Sequence, residues 1–141
     1  MKLFVDTWAW LTLHDKREAR HAEVVAFYRE LRRDRGMLIT TDYVLDETLT
    51  LLFRRLPFSL ANTSLMQLQQ AVTAGYLQLE WITPERFAQT LELRRKFDDK
   101  PRISFTDLTS MVVMRDCQVT AVLTEDEHFH QVGMGFQKVP S

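Results

Sequence analysis

Short apolar runs alternate along the chain with stretches whose apolar residues recur every three or four positions. The runs "KLFV" (2–5), "MLIT" (37–40), "LQLEW" (77–81), "VTAVLT" (119–124) and, more weakly marked, "FQKV" (136–139) have the length and residue types of buried strands. Between them, Val24, Phe27, Tyr28 and Leu31 keep the spacing of one helical stripe, and Gly36 marks its expected stop. Ala61, Leu65, Leu68 and Val72 make a second stripe, with Ser59 as the expected N-cap and Gly75 as terminator. Thr83 precedes Pro84 and Glu85, the order of a cap, a first helical position and a first-turn acid. Ser104 and Asp107 stand at capping-box spacing, with Asp in place of Glu. In "TTDYVLDETLTLLFRR" (40–55), Asp42 is the expected cap.

Strands separated by helices need crossover connections, which predicts an α/β fold with a parallel sheet and helices on both faces. Such sheets build their sites beyond the carboxyl ends of the strands. A length of 141 residues suits a single domain, 1–141, with a core of its own, and only 4 Gly and 4 Pro leave little for linkers. The 45% apolar and 26% charged composition points away from disordered and membrane classes. No apolar run is long enough to span a bilayer, and "MKLFVDTWAW" lacks the form of a signal peptide. The single cysteine, Cys117, allows no internal disulfide, which fits a reducing, cytoplasmic compartment.

Four acids stand out against this pattern. Asp6 follows "LFV" directly and Asp126 follows "AVLT" with Glu125 between, so each stands as a carboxylate at the end of a buried strand. Glu47 lies three residues after Val44 and four before Leu51, on a stripe expected to be apolar and too deep in its helix to be a cap. A carboxylate there is costly unless paired or metal-bound; the alternative is a place at the stripe's edge, in reach of water. Asp107 shares a face with Met111 and Met114 and is expected to point inward from the start of a helix. Each acid alone has an ordinary explanation as a cap or a complement to a helix dipole. Four gathered at one sheet edge would repel one another, and the arrangement becomes sensible with divalent cations among them, Mg²⁺ and Mn²⁺ being the ions that carboxylates suit. His14, His21, His128 and His130 are scattered without zinc spacing and read as surface or packing residues.

These acids carry a family resemblance. "VDTWAW", the Glu47 of "DYVLDE", the Asp107 of "SFTD" and "LTEDEHF" are similar to the four acidic motifs of the PIN-domain ribonucleases, above all the VapC-type toxins of bacterial toxin–antitoxin pairs. The likeness runs in order from residue 3 to about residue 138, with successive acids 41, 60 and 19 positions apart. Trp8 fills a position where the family often has a small residue, and Arg115-Asp116-Cys117 stands where a Gly-containing turn is usual; both departures leave the acids intact.

The resemblance implies a PIN-like three-layer α/β/α sandwich with a mainly parallel sheet of about five strands. It implies a Mg²⁺- or Mn²⁺-dependent endoribonuclease, with Asp6, Glu47, Asp107 and Asp126 holding one or two ions. Such ions activate a water, bind the scissile phosphate and stabilise the leaving oxygen. Thr7 and Thr124 are candidates to orient the carboxylates from behind. The net charge of −1 becomes +3 without the four acids, so the remaining surface suits RNA. Arg94, Arg95, Lys100 and Arg102, around the loop before Asp107, are the candidate phosphate contacts, and Trp8 or Trp10 a candidate stacking surface for a base. A VapC-type toxin is expected to be a homodimer silenced by a small antitoxin protein. Leu60 and Met66 lie off one helical stripe, and Leu49, Leu52 and Phe53 spread around another helix, leaving apolar surface for such partners. Two rival readings stay open: a PIN fold kept for binding alone, and a haloacid-dehalogenase-like phosphatase, which wants a second Asp where Trp8 stands.

Overall fold

The central strand of the sheet is the first one in the chain, and this places the first acid in the middle of the molecule. The computed structural model describes residues 1–140. In chain order the elements are β1 (Lys2–Val5), α1 (Thr7–His14), α2 (His21–Arg33), β2 (Met37–Thr41), α3 (Asp42–Arg55), α4 (Phe58–Ala74), β3 (Leu77–Glu80), α5 (Pro84–Lys96), α6 (Phe105–Asp116), β4 (Ala121–Leu123), α7 (His128–Gln131) and β5 (Gln137–Val139). The strands form one five-stranded sheet in the order β3-β2-β1-β4-β5, and every pairing is parallel. Phe4 lies opposite Ile39 of β2 and Val122 of β4, so the carboxyl ends of the three middle strands come together at one edge.

Burial explains the strand pattern. Leu3, Phe4 and Val5 are all enclosed, as are Leu38 to Thr41 of β2, so these strands carry continuous apolar runs rather than alternation. Helix α6 is buried at every residue from Asp107 to Met114, which makes it the central helix of its layer. Trp10 is a core residue: its indole N–H donates to Thr40 Oγ1 at 3.2 Å, and that hydroxyl donates to the Val5 carbonyl at 3.1 Å. The bonds satisfy the polar end of a buried ring and fasten α1 across β1 and β2.

Several helix ends match their expected signals. Thr83 Oγ1 accepts from the Arg86 amide, Ser104 Oγ accepts from the Asp107 amide, and Gly75 ends α4 in the left-handed region at φ 90°. Others differ. Helix α2 ends in a Schellman turn whose left-handed residue is Arg35 (φ 59°), not Gly36. Gly36 is needed for space, since a Cβ there would lie 2.6 Å from Leu31 Cγ. Thr41 caps α3 by accepting from the Val44 amide, while Asp42 Oδ1 accepts from the Ile82 amide at 2.8 Å and ties α3 to the segment after β3. Helix α4 starts beyond Pro57 without a side-chain cap, so Ser59 lies inside its first turn. Its buried stripe is Ala61, Ser64, Leu68 and Ala71, which leaves Val72 at the surface. Among the described residues no helix is long and apolar enough to cross a membrane.

Candidate active site

Because β1 and β4 pair in parallel, the residues just after them emerge side by side. Asp6 and Thr124 occupy those positions, 118 residues apart in sequence. Thr124 Oγ1 donates to Asp6 Oδ2 at 2.8 Å and accepts from the Asp126 amide at 3.0 Å, so one hydroxyl orients the first acid and the loop of the last. Asp6 has φ −85° and ψ 166° at the N-cap of α1, yet its carboxylate caps nothing and faces the sheet edge. Ser104 takes over the capping of α6 and leaves the Asp107 carboxylate free. Asp126 Oδ1 accepts from the His128 amide at 2.9 Å, which closes a tight turn and presents the carboxylate.

Asp6, Glu47, Asp107 and Asp126 line one cleft of about 450 Å³, together with Trp8 and Arg102. Asp6 and Asp107 are 5% and 8% exposed, too little for hydration to support two free charges. Burial above all raises the Asp6 carboxyl to about 6; the Thr124 hydrogen bond opposes this, and the charges of Asp126 and Glu47 add to it. Burial raises Asp107 to about 8, helped by the charges of Asp6, Asp126 and Glu47. Asp107 therefore holds a proton at neutral pH unless another cation replaces it, while Asp6 gives up its own just below neutral pH. The donor chemistry fits a divalent ion, and ligand atoms of Asp107, Asp126 and His128 lie within 4.8 Å of one another.

Glu47 stands elsewhere than its stripe suggested. The buried face of α3 is Val44, Thr48 and Leu52, and Glu47 is exposed at the rim of the cleft. Its position is the edge-of-stripe alternative, and its charge still reaches Asp6 and Asp107. Thr124 braces Asp6, and α7 begins without a side-chain cap. Thr7 lines the cleft, and its buried Oγ1 has no hydrogen-bond partner among the described residues.

The basic residues divide. Arg102 is exposed and lines the cleft. Arg94 is turned to the backbone instead: its guanidinium donates to the carbonyls of Ile103 at 2.6 Å, and of Phe97 and Lys100 at 2.7 Å each. These bonds commit three of its five N–H groups to shaping the loop before Asp107. Lys100 pairs with Asp99 at 3.0 Å, and Arg95 is exposed outside the cleft. The half-buried Trp8 faces the cleft with the Arg20 guanidinium 5.2 Å above its ring, whereas Trp10 belongs to the core. Two cleft residues were not among the expected contacts: Arg55, at the end of α3, whose signal is the basic run "FRRLP" (53–57), and His128, whose hint is its place two residues after Asp126.

The fold has counterparts among solved structures. VapC20 of Mycobacterium tuberculosis, described as a sarcin–ricin-loop-cleaving toxin, is similar with a TM-score of 0.76 and 28% identity, covering 93% of this chain and 95% of that one. VapBC2 of Rickettsia felis, bound to a DNA fragment from its promoter, is similar with a TM-score of 0.70 and 13% identity over 98% of this chain and 97% of that one. FitAcB of Neisseria gonorrhoeae follows with a TM-score of 0.65 and 16% identity over 96% of this chain and 95% of that one. A search of curated protein sequences finds no match. The PIN domain pattern itself matches residues 3–134, from the strand before Asp6 to beyond Asp126, and the chain therefore belongs to the PIN domain family.

Proposed function

We propose that this chain is a divalent-metal-dependent endoribonuclease, the toxin of a toxin–antitoxin pair. One observation carries the reading: in a PIN domain, four carboxylates distant in sequence line a single cleft, two of them buried and raised toward neutral pH. Asp6, Asp107 and Asp126 would hold Mg²⁺ or Mn²⁺, with Glu47 contributing from the rim. Bound there, the metal supplies a water of lowered pKa and positive charge for the scissile phosphate.

The chain's own residues do the rest. Thr124 holds the Asp6 carboxylate in one orientation, and Ser104 keeps Asp107 out of the helix cap. Arg102 and Arg55 place positive charge on the wall of an acidic cleft, where an RNA phosphate needs it. Trp8 offers a ring to an unpaired base, and Arg20 above it limits how far that ring can turn. The toxin at 28% identity makes the sarcin–ricin loop the first substrate to test.

A small antitoxin and a second copy of the chain are the proposed partners. Phe58, Leu60 and Met66 leave apolar surface exposed on α4, which supports a protein partner. The phosphatase reading falls with the family match. A PIN domain kept for binding alone is disfavoured because none of the four acids is missing.

The test is cleavage of defined RNA oligonucleotides, the sarcin–ricin loop among them, by the purified protein with Mn²⁺ or Mg²⁺. Cleavage should stop in EDTA and fall by orders of magnitude in Asp6→Asn, whose circular dichroism stays native. Cleavage that survives both changes would refute the reading. The partner claims are checked by light scattering and by co-expression with any small gene adjacent to this one.

A further inference from the structure

We propose that His128 is a metal ligand, so that the ion beside Asp107 and Asp126 is held by a mixed nitrogen and oxygen donor set that favours Mn²⁺ over Mg²⁺. The inference rests on the metal-dependent reading above and concerns a residue outside the four acids. Three observations support it.

First, the imidazole is aimed into the carboxylates. His128 Nδ1 lies 3.0 Å from Asp126 Oδ1 and 3.4 Å from Asp107 Oδ2. An octahedral ion with bonds of about 2.1 Å sets neighbouring ligand atoms about 3.0 Å apart, so these separations match adjacent corners of one coordination shell. Second, the ring is positioned by local structure rather than by chance contact. The His128 amide donates to Asp126 Oδ1, and this turn fixes the backbone two residues beyond the acid, at the first position of α7. Phe129, the next residue, is fully buried and anchors the turn in the core. Third, the same cleft contains the buried Thr7 Oγ1, which has no partner among the described residues. A polar atom in that state points to a ligand or ordered water that completes its hydrogen bonding.

The donor type decides the metal. Mg²⁺ is a hard ion that keeps oxygen ligands and water, whereas an imidazole nitrogen suits first-row transition ions. Replacing one oxygen corner by Nδ1 should therefore shift selectivity toward Mn²⁺. The rival explanation is an imidazolium clamped between Asp107 and Asp126 as a substitute for the cation. The two accounts differ in sign. A ligand strengthens Mn²⁺ binding, whereas a competing imidazolium weakens it.

The experiment uses Mn²⁺ itself as the probe. Free Mn²⁺ is titrated by its electron paramagnetic resonance signal with wild type, His128→Gln and Asp107→Asn, and pulsed measurements on the wild-type complex look for coupling to a nitrogen nucleus. Competition by Mg²⁺ gives the selectivity. The expected result is nitrogen coupling in the wild type that is lost in His128→Gln. Mn²⁺ binding should then be weaker by about tenfold or more, with a smaller change for Mg²⁺. The proposal is overturned if wild type binds Mn²⁺ without nitrogen coupling, or if His128→Gln binds it equally well or more tightly. If wild type and Asp107→Asn both fail to bind Mn²⁺, the metal-dependent reading falls, and this inference falls with it.

Discussion

Replacing Asp107 by Asn should make the metal-free protein more stable, not less, and only at neutral to alkaline pH. The carboxyl is 8% exposed and faces three other acids, which raises its pKa from 3.8 to about 8. A raised carboxyl pKa means that the folded state binds more protons than the unfolded state between those values. Its contribution to stability is complete below about pH 4 and is lost as the pH climbs through 8. At about 1.4 kcal/mol for each tenfold change in proton affinity, the cost by pH 8 has an upper limit of about 6 kcal/mol. Asparagine removes the charge but remains a buried polar group, and it gives up about 0.3–1 kcal/mol of interaction with the amino end of α6. A net gain of about 1–3 kcal/mol is expected at pH 8 in EDTA. For a chain of this size that corresponds to roughly 3–10 °C in Tm. At pH 5 the advantage should vanish or turn into a modest loss. Saturating Mn²⁺ should reverse the order, because an ion at a thousand times its Kd adds about 4.1 kcal/mol to the wild type and less to the variant. Thermal unfolding at pH 5 and pH 8, with EDTA and then with Mn²⁺, reads all four conditions. A variant whose metal-free Tm at pH 8 equals or lies below that of wild type would refute the claim that Asp107 is held in a desolvated acidic cluster.

Two further outcomes separate the parts of the site. Thr124→Val removes the hydroxyl that donates to Asp6 and accepts from the Asp126 amide; stability should fall by about 1–3 kcal/mol, while RNA cleavage falls tenfold or more beyond what the loss of folded protein explains, as measured by urea unfolding and single-turnover kinetics. Arg94→Ala and Arg102→Ala should behave oppositely. The first leaves three carbonyls without their donor and costs about 2–4 kcal/mol of stability. The second keeps the wild-type Tm but weakens RNA binding and reduces its salt dependence, as filter binding at several ionic strengths would report.

The chemistry was legible where it depended on near neighbours in sequence. A carboxylate directly after one apolar run, and another two residues after "AVLT", put Asp6 and Asp126 at strand ends, and the order of the four acids gave the family. The caps at Thr83 and Ser104 and the stop at Gly75 were equally readable, because a cap is a contact across two or three residues. Strands spaced by helices gave the parallel sheet, since a crossover leaves little choice of direction. Other features depended on which elements pack together. The buried face of α3 runs through Val44, Thr48 and Leu52, so Glu47 reaches the cleft from its rim rather than from the core. A helical stripe fixes which residues share a face, but the neighbouring helices decide how far that face is turned inward. Arg94 looked like an RNA contact because its sequence neighbours are basic; the loop at 97–103 folds three carbonyls onto it. Thr124 meets Asp6 across 118 residues, and His128 approaches Asp107 across 21, because parallel pairing of β1 with β4 brings the ends of both strands to the start of α6. A sequence pattern records which groups are suited to a site, whereas their separations are set by the packing of strands and helices remote along the chain.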